Sequence, residues 1–296
     1  MRINEMFSES RPVLSFEIFP PKRDGDVLGV HHTIDVLAEL KPDYISVTYG
    51  AAGSERGMDT VRMASRIKRE HGIEALAHLT SIGVTKKEID EILDIYRSEG
   101  IENILALRGD LEVNAVPKAS DFKYAADLIA HVKQNGHFGI GAACYPEGHI
   151  HARSKTTDLI YLRDKVQKGV DFLVTQLFFD TDLFYAFRNE VRSLDIEVPI
   201  TVGVMPVLNR KQIERMVALS GASLPDKFKK ILEKYEHNPV ALQDAGIAYA
   251  CDQIVDLLST GVDGIHLYVM NKPEVAKRIV SNISGIMSSS HPKITP

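Results

Sequence analysis

The sequence has few of the residues that mark several protein classes. Its 296 residues include two cysteines, Cys144 and Cys251, and no tryptophan. Two thiols cannot form a disulfide framework or a four-thiolate zinc site, so a reducing compartment fits best. The amino-terminal segment lacks the apolar core of a signal peptide, and no apolar run approaches the length that spans a bilayer. These absences predict a cytoplasmic protein.

The sequence also lacks an excess of basic residues. It has 35 Lys and Arg against 40 Asp and Glu, a formal net charge of −5. An acidic chain offers no general field for nucleic acid or for an anionic membrane, so neither partner is expected. With 44% hydrophobic and 25% charged residues, the composition is that of a globular protein and argues against disordered, collagen-like and coiled-coil structures.

The sequence contains no linker or low-complexity tract, and a repeating unit runs along it instead. Five times a polar helical stretch ends in glycine and an apolar run follows. Glycine just past a helix end takes the left-handed conformation that releases the chain into the next element. These glycines are Gly72, Gly100, Gly136, Gly169 and Gly261. The predicted strands cover residues 13–19, 44–49, 75–80, 103–108, 139–145, 172–178, 199–205 and 264–269.

The alternation of eight apolar strands with amphipathic helices predicts an α/β fold, a (β/α)8 TIM barrel. We expect one catalytic domain over residues 1–296, with an extra helical insertion over residues 220–238 before the helix of the last repeat. An open doubly wound sheet is the alternative. Its G-x-G-x-x-G fingerprint is missing. The nearest glycine pair, Gly139 and Gly141, falls inside a predicted strand rather than at the start of a helix.

In a barrel, catalytic groups gather at the carboxyl ends of the strands. The first strand carries Glu17 between Phe16 and Ile18. An apolar environment disfavours the charged form of a carboxyl group, which suits a general acid. The alternative is a structural carboxylate bonded to a neighbouring strand. We favour the acid because of its apolar neighbours.

Other polar residues end the later strands, and each has a simpler interpretation. Arg108-Gly109-Asp110 could be only a turn. His149 and His151 could bind a metal, but no third ligand is evident, so no metal site is predicted. No lysine lies inside a predicted strand, which disfavours Schiff-base chemistry. The residues alone indicate a barrel enzyme for a planar polar ligand.

Seven collinear motifs give a more specific indication. They are SFEIFPPK (15–22), SVTYGA (46–51), AHLTS (77–81), ALRGD (106–110), YPEGH (145–149), TQLFFD (175–180) and LYVMNKPE (267–274). With them the chain resembles the bacterial type of the methylenetetrahydrofolate reductase family. The resemblance implies a TIM barrel holding FAD, which reduces 5,10-methylenetetrahydrofolate to 5-methyltetrahydrofolate in one-carbon metabolism and methionine biosynthesis. Electrons would come from NAD(P)H by a ping-pong mechanism.

The resemblance also implies residue roles. Glu17 would be the catalytic acid, and Asp110 would hold the pterin and tune the flavin. The implied contacts to folate or nicotinamide are Thr48, Gln176, Gln212 and Lys272. The implied FAD contacts are Tyr49, Ala51, His78, Arg108, Gly109, Asp110, Ala125, Tyr145, His149, Ala152, Asp158 and Lys165. A homo-oligomer is expected from the family, and the length predicts no regulatory domain controlled by S-adenosylmethionine.

Three departures from the family pattern leave alternatives open. Val170, Met216 and Lys272 stand where relatives have Ala, an aromatic residue and Arg, respectively. Without an aromatic residue to pack on nicotinamide, the electrons could come instead from ferredoxin or a partner subunit. A flavin- and folate-binding scaffold without turnover is a third possibility. The presence of Glu17, Asp110 and Gln176 disfavours it.

Overall fold

The computed structural model describes residues 1–21, 26–49, 54–109 and 120–289. Within these ranges, eight parallel strands pair in chain order, and the last pairs with the first to close a barrel. The strands are β1 (Val13–Ile18), β2 (Tyr44–Val47), β3 (Glu74–Thr80), β4 (Asn103–Leu107), β5 (Gly139–Cys144), β6 (Phe172–Thr175), β7 (Ile200–Val204) and β8 (Gly264–Tyr268). The predicted (β/α)8 barrel is confirmed over the open sheet.

The helices surround this barrel and alternate with its strands. They are α1 (Ile3–Met6), α2 (Val27–Glu39), α3 (Ser54–His71), α4 (Lys86–Ser98), α5 (Ala125–Gln134), α6 (Lys155–Gln167), α7 (Thr181–Arg192), α8 (Arg210–Ser220), α9 (Asp226–Tyr235), α10 (Pro239–Ser259) and α11 (Pro273–Met287). In the described part of the chain, no helix combines the length and apolar character needed to cross a membrane.

Local sequence signals account for several helix boundaries. Thr85 and Glu88 form the capping box at the start of α4, where the Thr85 backbone N–H donates to Glu88 Oε2 at 2.7 Å. All five glycines that the repeat placed at helix ends have positive φ, between 64° and 115°. A side chain would be strained in this conformation, so these glycines release the chain into the following strand.

The amino end of the barrel interior is an apolar core. Inward-facing residues near the strand starts, among them Tyr44 and Phe172, pack with Ile3 and Phe7 of the amino-terminal segment. The sequence did not predict α1, which is only four residues long. Helix α1 packs against the amino end of the barrel interior, so the carboxyl ends of the strands are left for polar side chains.

A second apolar cluster lies beyond the carboxyl ends of β6 and β7. This rim cluster consists of Leu177, Phe179, Met205, Val207, Ile213, Ala222, Phe228, Leu232 and Leu242. It includes residues of α8 and of α9, the helix that confirms the predicted insertion. The rim cluster therefore anchors the helical insertion beside one side of the barrel mouth.

Replacing Phe172 by Ala should destabilise the fold strongly. Its ring is fully buried, and its centroid lies 5.8 Å from that of Phe7. Gly141 makes room for it, since a Cβ there would lie 2.7 Å from Phe172 Cζ. We expect a loss of about 3–5 kcal/mol in the free energy of unfolding, measured by urea denaturation. Leu28→Ala, at a side chain that is 79% exposed, is the control; equal losses in the two variants would contradict the packing.

Candidate active site

Glu17 lies inside the barrel near the carboxyl end of β1 and is 8% exposed. Its neighbours in sequence, Phe16 and Ile18, belong to the outer core between strands and helices. Alternation along the strand therefore turns Glu17 away from them and into the barrel. Its Oε2 lies 3.5 Å from Nε2 of His78 and 3.5 Å from Nε2 of His266. The carboxyl group thus meets two imidazoles, where the sequence had suggested apolar surroundings.

The second imidazole, that of His266, was not predicted from the sequence. Ser15 Oγ donates to the Ile265 carbonyl at 3.3 Å and lies 2.8 Å from His266 Nδ1. Which group donates in the Ser15–His266 hydrogen bond depends on the tautomer of the ring, whose Nε2 faces Glu17. Strand periodicity could have found it, because His266 shares the inward face of β8 with Tyr268.

His78 approaches Glu17 from the other side. Its Nε2 lies 2.7 Å from Ser46 Oγ, and the residue is 6% exposed. Burial lowers the pKa of His78 to about 4; the charge of Glu17 opposes this shift and that of His266 adds to it. The ring is therefore neutral near pH 7. A neutral imidazole beside Glu17 can share a hydrogen bond without adding positive charge.

A second group of predicted site residues meets at the loop after β5. Tyr145 and His149 pack edge to face, with ring centroids 4.6 Å apart. The Nδ1 atom of His149 accepts the backbone N–H of His151 at 3.1 Å, so a neutral His149 carries its proton on Nε2. The His149 backbone N–H donates to Asp158 Oδ2 at 3.2 Å. The loop and the first turn of α6 are thereby joined.

The charges around His149 favour an anion. Burial lowers the pKa of His149; Asp158 raises it, whereas Arg108 and Lys165 lower it. Burial likewise lowers the pKa of Lys165, whose ammonium donates to the Ala143 carbonyl. Within the described ranges, neither Arg108 nor Lys165 has an ion-pair partner. Among the described residues, Arg108 and Lys165 beside the one carboxylate of Asp158 give this cluster an excess of positive charge and of donors.

Gln176 lies between the two groups. Its backbone N–H donates to the Cys144 carbonyl at 2.7 Å, and its Oε1 accepts the Leu177 backbone N–H at 2.9 Å. It shares a small pocket with Tyr145. Tyr268 connects this pocket to the barrel interior, since its hydroxyl donates to the Thr175 carbonyl at 2.6 Å and its ring packs edge to face on His266, with centroids 5.1 Å apart. The predicted acid and the predicted flavin side therefore face one mouth.

The remaining predicted residues surround this mouth or lie outside the described part. Thr48 and Tyr49 follow β2, and both are half-buried. Gly109 follows β4 with φ of +88°, and a Cβ there would lie 2.9 Å from Ile82 Cγ2. Residues at helix starts or in loops are Ala125, Ala152, Gln212 and Lys272. In the described structure, Gln212 and Lys272 make no hydrogen bond to the other predicted site residues. Ala51 and Asp110 lie outside the described residues.

Comparison with known proteins identifies the family. The model for methylenetetrahydrofolate reductase matches residues 2–284. The chain belongs to the methylenetetrahydrofolate reductase family. A 5,10-methylenetetrahydrofolate reductase of Pectobacterium carotovorum is 34% identical over 279 residues, covering 94% of this chain and 92% of the relative. The enzyme of that name from Escherichia coli is 35% identical over 266 residues, covering 90% of this chain and 88% of the relative.

Plant members of the methylenetetrahydrofolate reductase family are longer. A probable methylenetetrahydrofolate reductase (NADH) of Oryza sativa is 34% identical over 309 residues, covering 100% of this chain and 52% of the relative. The chain therefore spans about half the length of the plant relatives that it matches.

Solved structures support the barrel fold. A Clostridium thermocellum protein that binds two copies of 5-methyl-5,6,7,8-tetrahydrofolic acid superposes with a TM-score of 0.67 at 15% identity, covering 97% of this chain and 100% of that one. A tryptophan synthase chain from M. tuberculosis gives a TM-score of 0.52 at 12% identity, with coverage of 97% and 98%. At these identities the likeness concerns the fold alone.

The buried imidazole of His78 should make stability depend on pH. Because its folded pKa is about 4 against an ordinary value of 6.5, the unfolded chain binds this proton at higher pH. The contribution of the neutral ring is fully present above about pH 6.5 and is lost as the pH falls toward 4. Between pH 7 and pH 5, the free energy of unfolding should fall by about 2 kcal/mol more in the parent than in His78→Gln. Urea unfolding at both values measures this, and identical pH dependences would contradict it.

Proposed function

We propose that this chain reduces 5,10-methylenetetrahydrofolate to 5-methyltetrahydrofolate, using FAD and NAD(P)H. The observation that carries the proposal is one barrel mouth with an imidazole-bound Glu17 and a cationic group around His149. Membership of the family and the names of the bacterial relatives support it. The folate bound by the Clostridium thermocellum protein is consistent with a folate substrate in a barrel of this shape.

The side chains after β4 and β5 fit the needs of a flavin dinucleotide. Arg108, Lys165 and Nε2–H of His149 are donors suited to a pyrophosphate, and Asp158 is an acceptor suited to ribose hydroxyls. Gly109 lets the backbone approach a flat ring. The other proposed contacts are Tyr49, Ala51, His78, Asp110, Ala125, Tyr145 and Ala152. When bound, FAD would take up hydride from nicotinamide and deliver it to the folate.

Glu17 supplies the proton in this proposal. Opening the five-membered folate ring to an iminium cation requires an acid at the departing amine nitrogen. Nε2 of His266, 3.5 Å from Oε2, is a hydrogen-bond partner of the carboxyl group until substrate replaces it. The neutral ring of His78 avoids a positive charge that would oppose the cation. His78 thus lies beside Glu17 without repelling a cationic substrate.

The donor and the folate would occupy the same side of the flavin in turn. Gln176, beside Tyr145, is placed to serve both, and the proposal assigns further contacts to Thr48, Gln212 and Lys272. A shared position implies that oxidised nicotinamide leaves before folate binds, which gives ping-pong kinetics. Met216 packs against the rim cluster. Because Met216 stands where relatives have an aromatic residue, an electron donor other than NAD(P)H is one outcome of the stopped-flow experiment.

Glu17→Gln should separate the two half-reactions. The amide keeps the shape of the side chain but cannot deliver the acidic proton, so folate reduction should fall by at least about 100-fold. FAD content and bleaching of the flavin by NADH should stay within about twofold. Anaerobic stopped-flow spectroscopy, with NADH first and methylenetetrahydrofolate second, measures both steps.

The exposed substitution Glu91→Gln on α4 is the control for that experiment. Folate turnover that survives in Glu17→Gln would remove Glu17 from the acid role. Failure of NADH to bleach the parent protein, with folate-dependent reoxidation after chemical reduction, would favour ferredoxin or a partner subunit as donor. No reoxidation by folate after either reduction would refute the proposed activity.

Lys165→Met should weaken FAD binding. It removes a half-buried ammonium from the cationic cluster while keeping most of the side-chain volume. A charge-assisted hydrogen bond contributes about 1.5–3 kcal/mol, so the dissociation constant for FAD should rise at least about tenfold. Fluorescence titration of the apoprotein measures it. Lys168→Met, at an exposed position just after the same helix, is the control; equal affinities in the two variants would contradict the assignment.

A further inference from the structure

The loop after β5 touches the turn that ends α8. Both carboxylate oxygens of Glu147 lie 3.0 Å from the backbone nitrogen of Ser223. Glu147 is half-buried and belongs to the loop that carries Tyr145 and His149. In the described residues it forms no ion pair, so the Ser223 amide is its observed partner. An ionised acceptor makes this a charge-assisted hydrogen bond, stronger than one between neutral groups.

The turn at the end of α8 is itself firmly joined to the helix. Gly221 ends α8 with φ of +74°. Ser220 Oγ donates to the Met216 carbonyl at 2.8 Å and accepts the Ala222 backbone N–H at 3.1 Å. Ala222 is buried in the rim cluster. A change in the position of Ser223 would therefore also shift α8.

A second contact lies beside the first. A Cβ at Gly221 would lie 2.4 Å from Ile150 Cγ2, so the absence of a side chain at Gly221 lets the loop after β5 approach the turn. A small pocket at this junction is lined by Glu147 of the loop, by Ser220 and Ala222 of the turn, and by Gln176. The two segments thus meet directly next to a proposed substrate contact.

We propose that Glu147 is a positioning residue that holds α8, and with it Gln212, in a fixed place relative to the flavin-side loop. The role in substrate binding rests on the proposed function; the contact itself does not. Gln212 lies in the first turn of α8, about 12 Å along the helix axis from the turn that Glu147 holds. A small rotation at the held end would displace the amide at the other end. Glu147 therefore sets the width of the substrate position without touching substrate.

Three variants test this inference. Glu147→Ala removes the acceptor, Glu147→Gln keeps an oxygen acceptor, and Ser223→Ala keeps the backbone donor. In steady-state assays we expect Glu147→Ala to raise KM for methylenetetrahydrofolate about 3- to 10-fold, with less than a twofold change in kcat and in FAD content. Glu147→Gln should restore most of the KM, and Ser223→Ala should match the parent.

Hydrogen exchange supplies a measurement that needs no activity. In Glu147→Ala, peptides covering residues 209–224 should exchange at least about threefold faster than in the parent, while peptides of β1 and β8 stay unchanged. Glu147→Gln should exchange like the parent. Unchanged exchange in Glu147→Ala, or equal exchange in the Ala and Gln variants, would refute the contact.

The kinetic and exchange results also separate the two proposals. Faster exchange with an unaltered KM would refute the positioning role, although the contact would stand. Absence of folate turnover in the parent protein, with the exchange pattern as expected, would count against the proposed function alone.

Discussion

A carboxyl group inside a closed barrel has no bulk water around it, so other inward-facing side chains must satisfy it. Glu17 meets this constraint through His78 and His266, which reach it from β3 and β8. Each imidazole is in turn held by a serine on a neighbouring strand, Ser46 and Ser15. A buried acid without such partners would carry a large desolvation penalty. The register that brings these strands together therefore makes the acid tolerable.

The barrel interior has an apolar layer that stabilises the fold and a polar layer that forms the candidate active site. Near the amino ends of the strands, Phe172 and Tyr44 pack with Phe7, and the core there is apolar. Near the carboxyl ends, the same inward face carries Glu17 and His266. Because the two regions lie in separate layers, the polar layer can change without removing the packing beneath it. The exposed carboxyl ends then provide the mouth in which a cofactor and a substrate can meet.

The two sides of that mouth are supported differently. The cationic side is built on β5 and α6, where the His149 backbone is bonded to Asp158. The side that carries Gln212 belongs to α8, which is anchored through the rim cluster rather than through the barrel strands. Helices that do not pack directly on a strand need an additional contact to define their position. The carboxylate of Glu147 provides that contact at Ser223.

The sequence by itself determined the local structure of this protein. Apolar runs placed the eight strands, glycines marked the helix ends, and Thr85 with Glu88 marked the start of α4, because these signals act over a few residues of backbone. Its motifs also indicated the family, which the family model confirms, and predicted Glu17 and the residues around His149 as site residues. Only the tertiary structure decided that His266 faces Glu17, 249 residues away. Such a contact depends on barrel closure and strand register, which no local pattern specifies.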